Sequence, residues 1–358
     1  MCCKRICLPG ESTAIQTAIH QPLKWDDLLV AANALEVTHV VWWSIKDLDR
    51  SRIPNPIVRK LQLNFQENSA RNMLLSDRLL SICRTLQEQG IVFVPVKGLI
   101  LADQVFPNRD LRRLNDLDIL VQRNSVGQAV EVLKQNGMSL IGKESVADSD
   151  LLKGRDVGLG GTLKGFAYTL ELHWKFKDKF LNLREDLLWS NLVELDWNGI
   201  KLQVFSPELT LLHLVHHLHY HGFPLKILID VAAALRTYNG VLNWTKILQW
   251  AEECKMRWNL YLALESVSSF FEQPYPVEAL ALRDQFQSHR KWLFKLLKER
   301  SWYFSNFAAR IHSNPHVLNF FSAFFTEGSY LSLLILLGRG AFTKARNRFS
   351  MSSIACEL

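Results

Sequence analysis

An α+β fold, a small mixed β-sheet with extensive flanking helices, is predicted by three features of this sequence. Short apolar β-branched runs alternate with helical spacings between Ile91 and Met138. Further strand patterns follow between Phe166 and Phe205, and everything from Ser206 onward carries helical spacing. With 358 residues the chain is long enough for a sizeable core and two domains.

Taken in order, "WDDLLVAANALEVTHVVWW" (Trp25 to Trp43) spaces its apolar residues as a helix does, and "IPNP" (Ile53 to Pro56) breaks the chain. Ile57 to Gln89 lacks Pro and Gly, repeats Leu at helical intervals and stops at Gly90, which predicts one long helix or a kinked pair. "IVFVPV" (Ile91 to Val96) reads as a buried strand, "LILADQVF" as a short helix, "LDILV" (Leu117 to Val121) as a second strand and Ser125 to Met138 as a Ser-capped helix. After a glycine-dense stretch, Phe166 to Phe176 alternates as a strand should, and Lys201 to Phe205 is expected to complete the same small sheet. "SPEL" at Ser206 opens a helix with Ser at the cap, Pro in the first turn and Glu near the positive end. The expected organisation is a helical segment over 1–56, a core with a leading long helix over 57–205, a helical domain over 206–340 and a basic tail over 341–358.

Composition narrows the class. Hydrophobic residues at 48% against 22% charged argue against a disordered chain, and 11 Trp with 20 Phe imply aromatic packing. A formal charge of +7 suits an anionic partner, a nucleotide, a nucleic acid or a membrane surface, without choosing among them. The six cysteines form no CxxC pair, which argues against a zinc ribbon or a disulfide framework. "MCCKRICLPG" lacks the apolar stretch of a signal peptide, and "YLSLLILLG" (Tyr330 to Gly338) is far shorter than a membrane span, so a cytoplasmic protein with no transmembrane segment is expected.

The candidate chemistry begins at "RRLNDLDILV". Residues i and i+2 of a strand share a face, so Asp116 and Asp118 project together, and their repulsion is relieved by a divalent cation; hard oxygen donors suit Mg2+ or Mn2+. The bland alternative is a strand-end pair that meets Arg112 and Arg113. Eighteen residues before Asp116, Gly98 stands where a strand feeds a helix, a place for close approach to a phosphate, with Lys97 adding a full charge. Glu171, flanked by Leu170 and Leu172, joins the two aspartates if its strand pairs beside Leu117–Val121. His173 lies on the same strand face as Glu171, to orient it or to serve as a structural histidine. His213, His217 and His221 recur every four residues on one helix face; a metal site is conceivable, but a polar face near the cleft is favoured. Asp230, an acid inside an apolar helix, needs a partner, for which His217 or His221 is the expected one.

From Trp25 to Tyr238 the sequence resembles the uncharacterised nucleotidyltransferases of the DNA polymerase beta-like superfamily. The resemblance is carried by Lys97, Gly98, Arg112, Asp116 and Asp118, by "ELHW" (Glu171 to Trp174) and by "HLHYHGFPLKILIDVAAAL" (His217 to Leu235). The superfamily's glycine-serine turn is replaced here by Lys97-Gly98, as in the family's own members. The resemblance implies transfer of a nucleoside monophosphate from an NTP, expected to be ATP, to an unidentified hydroxyl acceptor on a small molecule, peptide or protein. It further implies Asp116, Asp118 and Glu171 as the metal-binding and catalytic carboxylates and Lys97, Gly98 and Arg112 as the nucleotide-binding residues. His173, His217, His221 and Asp230 would support them. Two rival readings are nucleotide addition to an RNA end, and a non-catalytic, antitoxin-like protein that binds a nucleotide or another protein. The basic stretch Arg339 to Ser350 is read as a solvated end rather than a nucleic-acid or lipid contact.

Overall fold

The computed structural model describes residue 2 and residues 12–142, 154–177 and 182–286. The apolar run at 330–338, the basic tail and most of the first ten residues therefore lie outside the described residues. No described helix is long and apolar enough to cross a membrane.

Helices lead the chain: Ser12–Ile19 (α1), Trp25–Ala34 (α2), Thr38–Ile45 (α3) and the 34-residue Asn55–Glu88 (α4). The helical spacing across Trp25 to Trp43 is shared by α2 and α3, because Glu36 adopts a left-handed φ of 55° and turns the chain between them. α4 is a single helix. Pro56 sits in its first turn, where a missing N–H costs nothing, and Ile57, Leu61, Leu75, Leu79, Ile82 and Leu86 form its buried stripe.

The central sheet is built from Phe93–Pro95 (β1), Leu117–Val121 (β2), Ser139–Leu140 (β3), Asp156–Leu163 (β4) and Phe166–His173 (β5), in the order β1-β2-β5-β4-β3. Gly98–Val105 (α5) links β1 to β2, and Val126–Gln135 (α6) links β2 to β3. β2 and β5 run parallel and the other pairs antiparallel, so the sheet is mixed. β2 is buried at every position, as expected of a strand covered on both faces. Pro95 is tolerated because β1 is an edge strand, where a missing ladder donor matters least. In β4, a side chain at Gly161 would collide with Tyr168, whose hydroxyl lies 2.3 Å from where a Cβ would stand, which accounts for one of the glycines there.

Two strand assignments need correction. The strand from Phe166 breaks after His173, and Phe176–Lys177 (β6) pairs separately with Asn182–Leu183 (β7). Lys201 to Phe205 does not complete the sheet. After Glu185–Ser190 (α7), Leu192–Trp197 (β8) and Ile200–Phe205 (β9) form their own antiparallel ribbon, because Asn198 and Gly199 both take positive φ, 52° and 77°, and close a tight two-residue turn.

The C-terminal half of the described chain is helical: Pro207–Tyr220 (α8), Leu225–Thr237 (α9), Trp244–Glu253 (α10), Arg257–Phe271 (α11) and Leu280–Gln285 (α12). Ser206 caps α8 by accepting from the Leu209 N–H at 3.3 Å. Strand alternation then decides where everything meets. Leu117, Ile119 and Val121 of β2 and Leu170 and Leu172 of β5 pack into the core formed with α4 and α6, whereas Leu120 faces the core shared with α8, α9 and α11. Asp118, on the face of Leu120, is thereby turned toward the helical half.

Leu170 is fully buried at the centre of the sheet. Leu170→Ala is expected to cost about 2–5 kcal/mol, read as the shift of the urea unfolding midpoint.

Candidate active site

The register of the parallel pair assembles the site. Asp118 stands opposite Glu171 and Leu120 opposite His173, so Asp118, Glu171 and His173 rise from one face of two neighbouring strands. β1 delivers the next component: the Val96 N–H donates to the Asp118 carbonyl at 3.0 Å, and the chain turns at once into α5. Lys97 makes this turn with φ 53° and ψ −135°, and Gly98 follows at φ 51°. A lysine in that region is strained by roughly 1–3 kcal/mol, and backbone strain of this kind gathers at functional sites.

The strain aims the lysine inward. Lys97 Nζ donates to Asp118 Oδ1 at 3.0 Å, with both side chains less than a tenth exposed. His173 Nε2 meets the same oxygen at 2.9 Å and Glu171 Oε2 at 3.4 Å, while its Nδ1 lies 3.7 Å from Asp156. Burial works to raise the Asp118 carboxyl, but Lys97 and His173 outweigh it and hold the group well below the usual carboxylate range. Burial would equally strip His173 of its proton, yet its hydrogen bonds to Asp118 and Glu171 raise it. The hydrogen bond from His173 lowers Glu171. Asp116 differs: burial first, then repulsion from Asp118 and Glu171, pushes it up to about 6.

The expected support residues fall differently. Asp230 does not pair with His217 or His221. Its carboxylate takes the Arg112 Nε at 3.0 and 3.1 Å, and Arg112 also donates through Nη1 to the Gly98 carbonyl at 3.4 Å. Arg's planar fork is suited to such a buried pair, whereas a neutral imidazole brings no charge to offset a carboxylate. Arg112 thus ties the Lys97-Gly98 turn to α9. His213 and His217 are driven well below the usual imidazole range by burial, with Lys97 adding to it, so both are neutral. Among the described residues, the acidic, His and Cys groups whose donor atoms come within 4.8 Å of one another are Asp118, Glu171 and His173; the α8 histidines form no such cluster.

The cleft beside Asp118 and Glu171 is a cavity of about 140 Å³ that also reaches Arg113 and, unmarked in the sequence, Glu36, Asn115 and Lys226. Lys226 contacts Glu36 across it, joining the start of α9 to the turn before α3. A further missed set lies on α4. Asn68 donates to the Asp110 carbonyl at 2.8 Å, Asn72 to the Arg112 carbonyl at 3.0 Å, and Arg71 to the Leu114 and Asn115 carbonyls at 2.8 and 2.9 Å. They grip the loop that presents Arg112 and Asp116. Two buried asparagines four residues apart on a leucine-rich helix are the signal that marks them.

The sequence profile of a family described as uncharacterised nucleotidyltransferases matches residues 21–272. No curated protein matches. Among solved structures, the chain is similar to ANT(2")-Ia in complex with adenylyl-2"-tobramycin, at 11% identity and a TM-score of 0.36, over 51% of this chain and 98% of that one. It is also similar to an antigenic nucleotidyltransferase-like protein from Paracoccidioides brasiliensis, at 16% identity and a TM-score of 0.34, over 56% and 97%.

Because the folded state raises Asp116, it holds that proton more tightly than the unfolded chain does. Stability is lost as pH climbs from about 4 to about 6 and stays lost above. In metal-free buffer Asp116→Asn is therefore expected to melt above the native protein at pH 8, with the gap closing toward pH 4 in thermal scans. Arg112→Ala leaves Asp230 buried without its cation and is expected to cost about 3–5 kcal/mol by chemical denaturation, much of it recovered when Asp230→Leu is added.

Proposed function

Because the chain belongs to the family of uncharacterised nucleotidyltransferases and is an enzyme of that class, we propose that it transfers AMP from ATP to a hydroxyl on a small molecule, peptide or protein. The acceptor oxygen attacks the α-phosphorus, the bond to the bridging oxygen breaks, and pyrophosphate leaves. The observation that supports this reading best is the side-by-side pairing of Asp118 and Glu171, with Asp116 in the same cleft and the Lys97-Gly98 turn beside it.

The donor set fits a divalent cation. Carboxylate oxygens are hard ligands, and the rise of Asp116 expresses a local excess of negative charge that a cation relieves. Asp118 and Glu171, whose oxygens come together, would hold Mg2+ or Mn2+, with Asp116 lining the same cleft; the ion when bound supplies charge neutralisation for the triphosphate and the leaving group. The protein's own groups do the rest. Glu171, half-exposed at the cleft and oriented by His173, accepts the proton of the acceptor hydroxyl. Lys97 spends one of its three N–H donors on Asp118 and keeps two for phosphate, beside the first-turn N–H groups of α5, which helix geometry leaves without an intrahelical acceptor. Arg113 and Lys226 add positive charge across the cleft. Arg112, engaged by Asp230 and Gly98, is assigned to holding the turn rather than to phosphate.

Calorimetric titration of ATP, GTP, CTP and UTP with Mg2+ tests the reading. ATP is expected to bind tightest, with at least a tenfold loss in Asp116→Asn/Asp118→Asn and loss of pyrophosphate release. Preference for another triphosphate would refute the adenylyl part, and no binding by any of the four would refute the whole.

A further inference from the structure

The catalytic cleft has a neighbour. A second cavity, of about 230 Å³, shares Lys97, Glu171, His217 and His221 with it and extends away from Asp116 and Asp118. Together the two approach the size of small-molecule sites, roughly 300–1,000 Å³. We propose that this second chamber takes the base of the nucleotide, a planar heteroaromatic ring, and so determines which triphosphate is used; this rests on the nucleotidyl-transfer reading above.

The wall is a continuous run of rings. His173 lies 5.1 Å from Phe176 between centroids, Phe176 4.4 Å from His213, His213 6.5 Å from His217, His217 4.4 Å from His221, and His221 5.0 Å from Tyr220. At the far end the Arg155 guanidinium stacks 4.1 Å above the Tyr220 ring. Such a surface offers π faces, on which any base stacks. Beyond His173, it also offers the imidazoles of His213, His217 and His221, which burial keeps neutral, each with one donor and one acceptor to match the edge of an uncharged heterocycle.

Acidic donors separate the two cavities. Asp116, Asp118 and Glu171 line the first, with Arg113 beside them, the place for a polyphosphate bound with its cation. Of these three acids the second keeps only Glu171 and is walled instead by rings, with Arg155 paired to Asp156 at 2.9 Å. A base loses little by leaving water for such rings. The shared wall, Lys97 and Glu171, then falls where the α-phosphate joins the two halves of the nucleotide.

The test compares Mg2+-dependent binding of ATP and of inorganic tripolyphosphate to the native protein, Tyr220→Ala and His213→Ala, whose side chains line the second chamber and not the first, by calorimetry. ATP affinity is expected to fall roughly tenfold or more in both variants, as for loss of a stacking partner, while tripolyphosphate binding stays within about twofold. Retained tripolyphosphate binding also shows that the variants are folded. Unchanged ATP affinity in both variants, an equal loss for both ligands, or equal affinity of the native protein for ATP and tripolyphosphate overturns the assignment of the chamber alone. A native protein that binds neither ligand overturns the nucleotide reading and the chamber with it.

Discussion

A carboxylate placed inside a sheet must be neutralised, and the rest of this molecule is arranged around that requirement. Asp118 sits in a strand buried at every position, between Leu117 and Ile119. Left alone, its charge would cost several kcal/mol or its proton would return. Lys97 and His173 prevent both by meeting the same oxygen from opposite sides in sequence, one from the end of β1 and one from β5. The strained backbone at Lys97 is sustained by this pairing, since the ammonium reaches the carboxylate from the residue where β1 turns into α5.

The same logic extends outward through further ion pairs and hydrogen bonds. Arg112 neutralises Asp230, which is as buried as Asp118, and in doing so fastens α9 to the Gly98 turn. Asn68, Arg71 and Asn72 on α4 take up the loop carbonyls around Arg112 and Asp116, which have no sheet partners of their own. The long helix therefore does more than cover one sheet face: its apolar stripe packs the core and its polar positions hold the loop that carries the site.

Asp116 has no ion-pair partner among the described residues. Burial and its acidic neighbours raise it where Asp118 is lowered, although a single residue separates the two. These opposite shifts are the electrostatic pattern that the proposed cation would balance. The two cavities that meet at Glu171 divide the surroundings into a half that holds Asp116 and Asp118 and a ring-lined half.

How much of this could be read without coordinates follows from the range of each interaction. The sequence by itself determined the α+β class, helical structure over Ile57 to Gln89 and the strand at Leu117–Val121, and it singled out Lys97, Gly98, Asp116, Asp118, Glu171 and His173, because apolar periodicity, turn chemistry and acids set against apolar neighbours are local signals; that the long helix is unbroken came from the structure. It also determined the placement of Glu171 and His173 on one face, since a strand repeats every two residues. Only the tertiary structure decided the parallel register that sets Asp118 against Glu171, the choice of Arg112 rather than a histidine for Asp230, and the separation of β8 and β9 from the sheet. Those outcomes depend on which of several chemically acceptable partners, more than 50 residues away in the chain for Asp118 and 118 away for Arg112, packing brings within reach. Spacing along one strand carries no information about that choice.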